Sequence, residues 1–443
     1  MKRHGLILAL VMLLIGMTAN AHEIIKFNLK SSDKYYPGTE REIQVYVPDA
    51  YDGKTRACLY VGLDGILCNA PHVMDSLITA GKMPVTIGVF IQPGVIKDKD
   101  GNVVRYNRSN EFDMTNDKFV SFLVEDVLPA VERLKTAKGF PIRSSRQGGM
   151  IFGLSSGGIA AFTAAWHRPD LFSRVFSGVG TFVAMRGGND LQAIVRKSEP
   201  RPLRIFLQDG TNDVWNALFG HWYEGNRMLA SALDFAGYDA RYDWSDCNHG
   251  VKRANEIFPE VMEWMWRGES PKCGKTQNNL LDTMLVDDRG WATSDSGPRH
   301  KRLAHPDTIK AVYPDGKLMV KPQSGTNCLW QYTIDENGME QNGQPFYWLH
   351  SYDNSLLTVS AMAFDGAGNL WVVTNAGIQI CDQNGRVRGI LMLPAEVSAK
   401  NIVEIGFSEH SFWMIDDFSN EYIRPLHITP PTPGVTPKSQ GQG

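Results

Sequence analysis

Beyond its first twenty residues the sequence holds no apolar run near the roughly 20 consecutive residues that a membrane-spanning helix needs, so no later transmembrane helix is expected. It also lacks an excess of either charge. The 45 Lys and Arg face 48 Asp and Glu, a net of −3, which gives no basic footprint for nucleic acid or an anionic surface. Cysteine is sparse, with six residues in 443. Cys58, Cys68, Cys247, Cys273, Cys328 and Cys381 show neither a Cys-x-x-C pair nor a Cys/His spacing of the zinc type. No metal and no cofactor are therefore expected. Structural cysteines are the simplest reading, with any disulfide pairing left open.

The exception to the missing apolar runs is at the start. Lys2 and Arg3 precede an apolar stretch from Leu6 to Met17, followed by Ala19-Asn20-Ala21. This order is that of a secretory signal cleaved near Ala21, so residues 1–21 are expected to be removed and the protein to be periplasmic or secreted. No cysteine follows the cleavage site to carry a lipid.

From about residue 22 to 268, strand-like and helix-like patterns alternate. Ala57–Leu63, Val85–Ile91 and Met150–Leu154 are short buried-strand runs. Residues 117–134 repeat apolar positions at helical spacing, through Phe119, Phe122, Leu123, Val127, Leu128, Val131 and Leu134. The alternation predicts an α/β fold with a mostly parallel sheet flanked by helices. Residues 269–304 are polar and irregular and read as a linker. Residues 305–425 read as a smaller all-β module, in which short apolar runs alternate with turn signals such as Pro314-Asp315-Gly316, Glu336-Asn337-Gly338 and Gln383-Asn384-Gly385. The tail, 426–443, is rich in Pro, Thr, Gly and Gln and is expected to be disordered.

The chemistry concentrates in Gly153-Leu154-Ser155-Ser156-Gly157-Gly158. A Gly-x-Ser-x-Gly sequence after an apolar strand and before a helix predicts a tight turn that presents Ser155 Oγ at the end of the sheet, with the Ser156 N–H aimed at the same place. A serine needs a base. His249, in the loop Cys247-Asn248-His249-Gly250, is the candidate, and His167 and His221 are its competitors. The acid is expected after a strand between the two. Asp213, closing Gly210-Thr211-Asn212-Asp213 after the strand Leu203–Leu207, fits best, with Asp209 and Asp246 as alternatives. A second oxyanion donor is expected from the backbone near Ile66, after Gly62-Leu63-Asp64-Gly65.

Together with Tyr106-Asn107-Arg108-Ser109-Asn110-Glu111-Phe112 and Phe122-Leu123-Val124-Glu125-Asp126-Val127-Leu128-Pro129, these pieces resemble the esterase D-like family. That family includes enterochelin esterases and the feruloyl and acetyl-xylan esterases of carbohydrate esterase family one. The resemblance covers residues 24–268. It implies an α/β-hydrolase fold and ester hydrolysis through an acyl-serine, with a small-molecule or polysaccharide ester as partner: feruloyl or acetyl esters of plant cell walls, or a siderophore trilactone as the alternative. A non-catalytic carbohydrate-binding protein with a relic site is a further alternative. It also suggests Arg108 and Glu111 as substrate-binding residues at the mouth of the site, or else as a structural ion pair beneath the loop.

The C-terminal module resembles part of a senescence-marker/gluconolactonase β-propeller, on Ala361-Met362-Ala363-Phe364-Asp365 and Gly368-Asn369-Leu370-Trp371-Val372-Val373-Thr374-Asn375. Ser360 stands where that family has a metal-binding Asp, and a serine hydroxyl is a poor substitute for a carboxylate ligand. The expectation is an accessory module without chemistry of its own and a candidate contact for homo-oligomers. Trp330, Trp348, Trp371 and Trp413 are either core residues or a sugar-stacking face.

Overall fold

The computed structural model describes residues 22–272, 280–286, 290–294, 300, 309–351 and 355–438. The expected signal, residues 1–21, lies outside the described residues, as do Cys273, most of 269–304 and the last five residues. The chain divides into two compact units. One contains the described residues up to Leu191, with Arg201–Ser231 and Tyr238–Lys272; the other contains Gln192–Pro200, Ala232–Gly237 and the described residues within Cys273–Gly443.

The first unit is built on one ten-stranded sheet. Its strands are β1 (His22–Lys30), β2 (Glu40–Pro48), β3 (Cys58–Leu63), β4 (Thr86–Ile91), β5 (Val95–Lys97), β6 (Val103–Tyr106), β7 (Gly149–Leu154), β8 (Phe172–Gly178), β9 (Arg204–Asn212) and, skipping a small hairpin, β12 (Asp239–Asn248). The hairpin is β10 (Trp215–Asn216) with β11 (Gly220–His221). The spatial order is β12-β9-β8-β7-β3-β4-β2-β5-β6, with β1 also paired to β2. Pairings from β12 through β4 are parallel and the rest are antiparallel. Strands buried on both faces carry continuous apolar runs, and all six residues of β4 and of β7 are buried.

The helices of this unit include α1 (Ala70–Thr79), α2 (Arg108–Phe112), α3 (Lys118–Phe122), α4 (Leu128–Glu132) and α5 (Ser156–His167). After α6 (Leu191–Lys197), at the boundary between the units, come α7 (Trp222–Phe235) and α8 (Lys252–Trp266). The helix predicted over 117–134 runs without interruption from Lys118 to Glu132, as α3, a π-helical turn at Leu123–Val127, and α4. Pro129 accounts for the π-helical turn, because its ring clashes with the carbonyl four residues earlier and it has no N–H to give. On one face of the sheet, Phe152, Phe176 and Phe206 pack with Phe258 and Met262 of α8. Each ring buried this way contributes about 1.5–3 kcal/mol. This packing fixes the carboxyl ends of β7, β8, β9 and β12 side by side, and the loops leaving those ends carry Ser155, Thr181, Asp213 and His249.

The second unit contains three separate four-stranded antiparallel sheets. Two are meanders in chain order: β14 (Ala311–Val312) to β17 (Glu340–Trp348), and β18 (Val359–Phe364) to β21 (Val387–Leu391). The third joins β13 (Ala292–Thr293) to β22 (Ile402–Ser408), β23 (Ser411–Asp416) and β24 (Glu421–Pro425). One turn recurs. Asp365 Oδ1 accepts the N–H groups of Ala367 and Asn369 at 3.0 and 2.8 Å, and Asp416 Oδ1 accepts those of Phe418 and Asn420 at 3.0 and 2.8 Å. Asp335 and Asp382 do the same two and four residues on. The residue three after each Asp has positive φ, and it is Gly338, Gly368, Gly385 or Ser419.

Trp371 is fully buried in this unit. The Lys197 ammonium lies 4.5 Å from the Trp348 ring, and the His300 ring stacks on Trp413 at 4.3 Å. Trp371 belongs to the core, while Trp348 and Trp413 are half-buried. The five described cysteines are free thiols. Among the described residues no helix is long and apolar enough to cross a membrane.

Candidate active site

The turn between β7 and α5 puts Ser155 at φ 57°, ψ −120°, a backbone region that costs a non-glycine residue about 1–3 kcal/mol. Its neighbours make the turn feasible. A Cβ on Gly153 would stand 2.2 Å from the Gly157 carbonyl oxygen, and one on Gly158 would stand 2.7 Å from Ser177 Oγ. The Ser155 N–H donates to Gly178 O at 2.9 Å, and the Thr181 N–H donates to Ser155 O at 3.2 Å, so β8 and the loop after it brace the turn.

Three side chains from three loops then fall in line. Ser155 Oγ is 3.0 Å from His249 Nε2, and His249 Nδ1 is 2.6 Å from Asp213 Oδ1. The Asp213 side chain is fully buried, while His249 is partly exposed. Burial pushes the Asp213 carboxyl up. The hydrogen bonds of His249, Asp209 and the Val214 N–H outweigh it and hold the group below the usual carboxylate range. With Nδ1–H given to Asp213, Nε2 is left as an acceptor for the Ser155 hydroxyl hydrogen. That arrangement can make a serine alkoxide equivalent and stabilise the imidazolium that forms.

Ser156 opens α5 beside Ser155. The Gly65 N–H is engaged by Ile91 O at 3.2 Å. Among the described residues, the Ser156 and Ile66 amides donate to no other group, so both can serve an oxyanion.

Residues 35–262 match the family model "Esterase: Putative esterase", slightly more than half of the chain. The chain belongs to this esterase family. It is a carboxylic ester hydrolase. No curated protein matches the chain. Among solved structures it is similar to a ferulic acid esterase, with 17% identity over 56% of this chain and 98% of that one, at a TM-score of 0.41. It is also similar to the enterochelin esterase from Shigella flexneri, with 20% identity over 55% of this chain and 58% of that one, at a TM-score of 0.42. The feruloyl esterase module from Clostridium thermocellum is similar at 13% identity over 58% of this chain and 92% of that one, at a TM-score of 0.39. The chain thus spans less than two thirds of the enterochelin esterase's length.

The other sequence candidates of the esterase go elsewhere. His167 is half-buried, faces Thr115 O at 2.7 Å, and is pushed by burial below the usual imidazole range. Asp246 is exposed, and its backbone carbonyl accepts from Asn212. His221 pairs with Trp215 across the β10–β11 hairpin. Arg108 holds Asp64 through Nε and Nη2 at 2.7 and 2.8 Å and reaches Leu154 O at 3.2 Å, directly before the Ser155 turn.

Glu111 requires a correction. It was expected at the mouth or paired with Arg108, but its side chain is fully buried and bound to Arg41. Asn107 Nδ2 and the Gly94 N–H complete its shell at 2.7 and 3.2 Å. On the short helix α2 the two residues serve different partners. Arg108 reaches the Ser155 turn, and Glu111 neutralises an arginine of β2.

Sequence reasoning missed Thr181 and Trp222. Thr181 Oγ1 lies 3.4 Å from Ser155 Oγ and accepts from Trp222 Nε1 at 3.3 Å, and the Trp222 ring stands edge-on to His249 at 6.1 Å. A usable signal existed for Thr181: it follows the strand next in the sheet to the one that carries Ser155.

Proposed function

We propose that this esterase cleaves its substrate through an acyl-serine, with Ser155 as nucleophile, His249 as general base and acid, and Asp213 as the orienting carboxylate. Ser155 Oγ attacks the ester carbonyl carbon as its proton passes to His249 Nε2. The Ser156 and Ile66 amides hold the oxyanion. His249 returns the proton to the departing alcohol, and the acyl-serine remains. Water then attacks with His249 again as base, releasing the acid and restoring Ser155. The observation that carries this reading is the unbroken hydrogen-bonded line Ser155–His249–Asp213, at 3.0 and 2.6 Å.

For the substrate we propose an aromatic acyl ester of a carbohydrate, of the feruloyl kind. Val214, Trp215 and Leu218 follow Asp213 on the β10–β11 hairpin and are 42%, 68% and 76% exposed. Three exposed apolar side chains so close to an acidic residue of the site favour an aromatic acyl group over acetate. The three-sheet unit is read as an accessory module of propeller-blade type, and export by the expected signal fits such a substrate.

The test is hydrolysis of p-nitrophenyl acetate, methyl ferulate, acetylated xylan and enterobactin by the wild type and by Ser155→Ala. Ester turnover should fall by about 10⁴ to 10⁶ in the folded variant, and kcat/KM should be highest for methyl ferulate. Wild-type turnover in folded Ser155→Ala removes the mechanism, and preference for enterobactin or acetylated xylan removes the substrate assignment.

A further inference from the structure

Asp209 lies on β9, four residues before Asp213, and has no exposure to solvent. Its Oδ1 accepts the Gly210 N–H at 2.6 Å and its Oδ2 accepts Asn226 Nδ2 at 2.6 Å. Asn226, on α7, is itself fully buried, and its Nδ2 also faces Gly180 O at 2.8 Å and Trp222 O at 3.1 Å. Among the described residues, no lysine or arginine pairs with Asp209 or Asp213.

The Asp213 carboxylate is used unevenly. Oδ1 takes both His249 Nδ1 and the Val214 N–H, while Oδ2 is buried without a partner. An orphaned carboxylate oxygen in the interior is costly. The Asp209 and Asp213 carboxyls lie within side-chain hydrogen-bonding reach of each other.

We propose that Asp209 is a neutral carboxylic acid that donates its proton to Asp213 Oδ2, and so acts as a positioning residue that holds the orienting carboxylate in place for His249. The proposal rests on the reading of Ser155, His249 and Asp213 as the catalytic line. Two adjacent buried carboxyls without a cation cannot both ionise. The proton belongs on Asp209, because Asp213 is the one that holds His249 Nδ1 and so faces the imidazole that becomes positive during the reaction. The groups that face Asp209 agree: Asp213 from the loop after β9, the neutral Asn226 from α7, and the Gly210 N–H. Burial, with the Asp213 charge adding to it, pushes Asp209 up to about 9.

The side chain at 209 then matters as a hydrogen-bond donor and not as a charge. Asparagine has nearly the same shape and supplies an N–H toward Asp213 Oδ2, and Asn226 keeps two other acceptors. Leucine supplies no donor.

The experiment compares the full chain carrying Asp209→Leu or Asp209→Asn with the wild type, reading kcat and KM on p-nitrophenyl acetate at pH 7 and the infrared carbonyl stretch of protonated carboxyl groups. Asp209→Leu should lower kcat about tenfold to a hundredfold with little change in KM, and Asp209→Asn should recover most of that loss. The wild type should show a protonated-carboxyl band at pH 7 that Asp209→Asn removes. Absence of that band, or an Asp209→Asn variant as crippled as Asp213→Asn, overturns the proposal. The infrared reading needs no turnover and no folded leucine variant, so it separates failure of this inference from failure of the catalytic reading.

Discussion

Arg108 grips Asp64 at two points, 2.7 and 2.8 Å, and its third contact, at 3.2 Å, is the carbonyl of Leu154, the residue before the nucleophile candidate. One guanidinium therefore ties the loop that offers the Ile66 amide to the turn that offers the Ser156 amide. Lysine cannot reproduce a two-point contact of this kind. Arg108→Lys is expected to lower kcat/KM about tenfold to a hundredfold while the free energy of unfolding stays within about 1 kcal/mol of wild type. Steady-state kinetics and urea unfolding check both halves. Unchanged kcat/KM would show that the clamp does not set the oxyanion geometry.

Glu111 should behave in the opposite way. Its partner Arg41 has no solvent exposure, so Glu111→Ala leaves a buried cation unpaired, at a cost of about 3 to 5 kcal/mol. Urea denaturation should show that loss, with KM nearly unmoved in the protein that remains folded. A raised KM at an unchanged midpoint would return Glu111 to the mouth of the site.

Asp213→Asn removes the carboxylate bonded to His249 Nδ1, the proposed orienting group, and favours the wrong imidazole tautomer. A loss of about 10⁴-fold in kcat is expected, against little change for the exposed Asp246→Asn. Comparable rates for the two variants would mean that Ser155 and His249 act without an acid.

The two buried carboxyls give opposite pH dependences of stability. Asp213 titrates lower in the fold than in the unfolded chain, so the stability it adds is present above the unfolded carboxylate pKa of about 3.9 and is lost as the pH falls through its folded value. Asp209 is raised to about 9. Between about 4 and 9 the native state therefore holds a proton that the unfolded chain has released, and stability falls as pH rises. Asp209→Asn should remove that slope, so its melting temperature should gain on wild type more at pH 8 than at pH 5. Parallel melting curves across that range would contradict the assignment.

Ending the chain at Lys272 should be destabilising. Gln192–Pro200 and Ala232–Gly237 belong to the second unit although they are flanked in sequence by elements of the first, and Lys197 Nζ donates to Phe346 O at 2.7 Å within that unit. Thermal melting should show a lower midpoint and new binding of a hydrophobic dye. An unchanged melt would show that these segments do not need the C-terminal chain.

By itself the sequence determined the alternation of elements and the identity of Ser155, His249 and Asp213 as candidates. These are local matters, since a strand-turn-helix with obligatory glycines and loops that follow apolar strands leave patterns within a few residues. It also gave away three of the four Asp turns of the second unit, because Gly338, Gly368 and Gly385 occupy the positive-φ position. The fourth stayed hidden because Ser419 takes the same conformation without a glycine to mark it. Only the tertiary structure decided who pairs with whom. Arg108 and Glu111 are three residues apart on one helix, yet Asp64 and Arg41 claim them from separate strands and loops. Thr181, Trp222, Asn226 and Asp209 gather around Ser155 and Asp213 because parallel strands line up their carboxyl ends, a juxtaposition no local pattern encodes. The protonation of Asp209 is decided the same way, by the burial and the missing cation that the packing of β8, β9, β12 and α7 imposes.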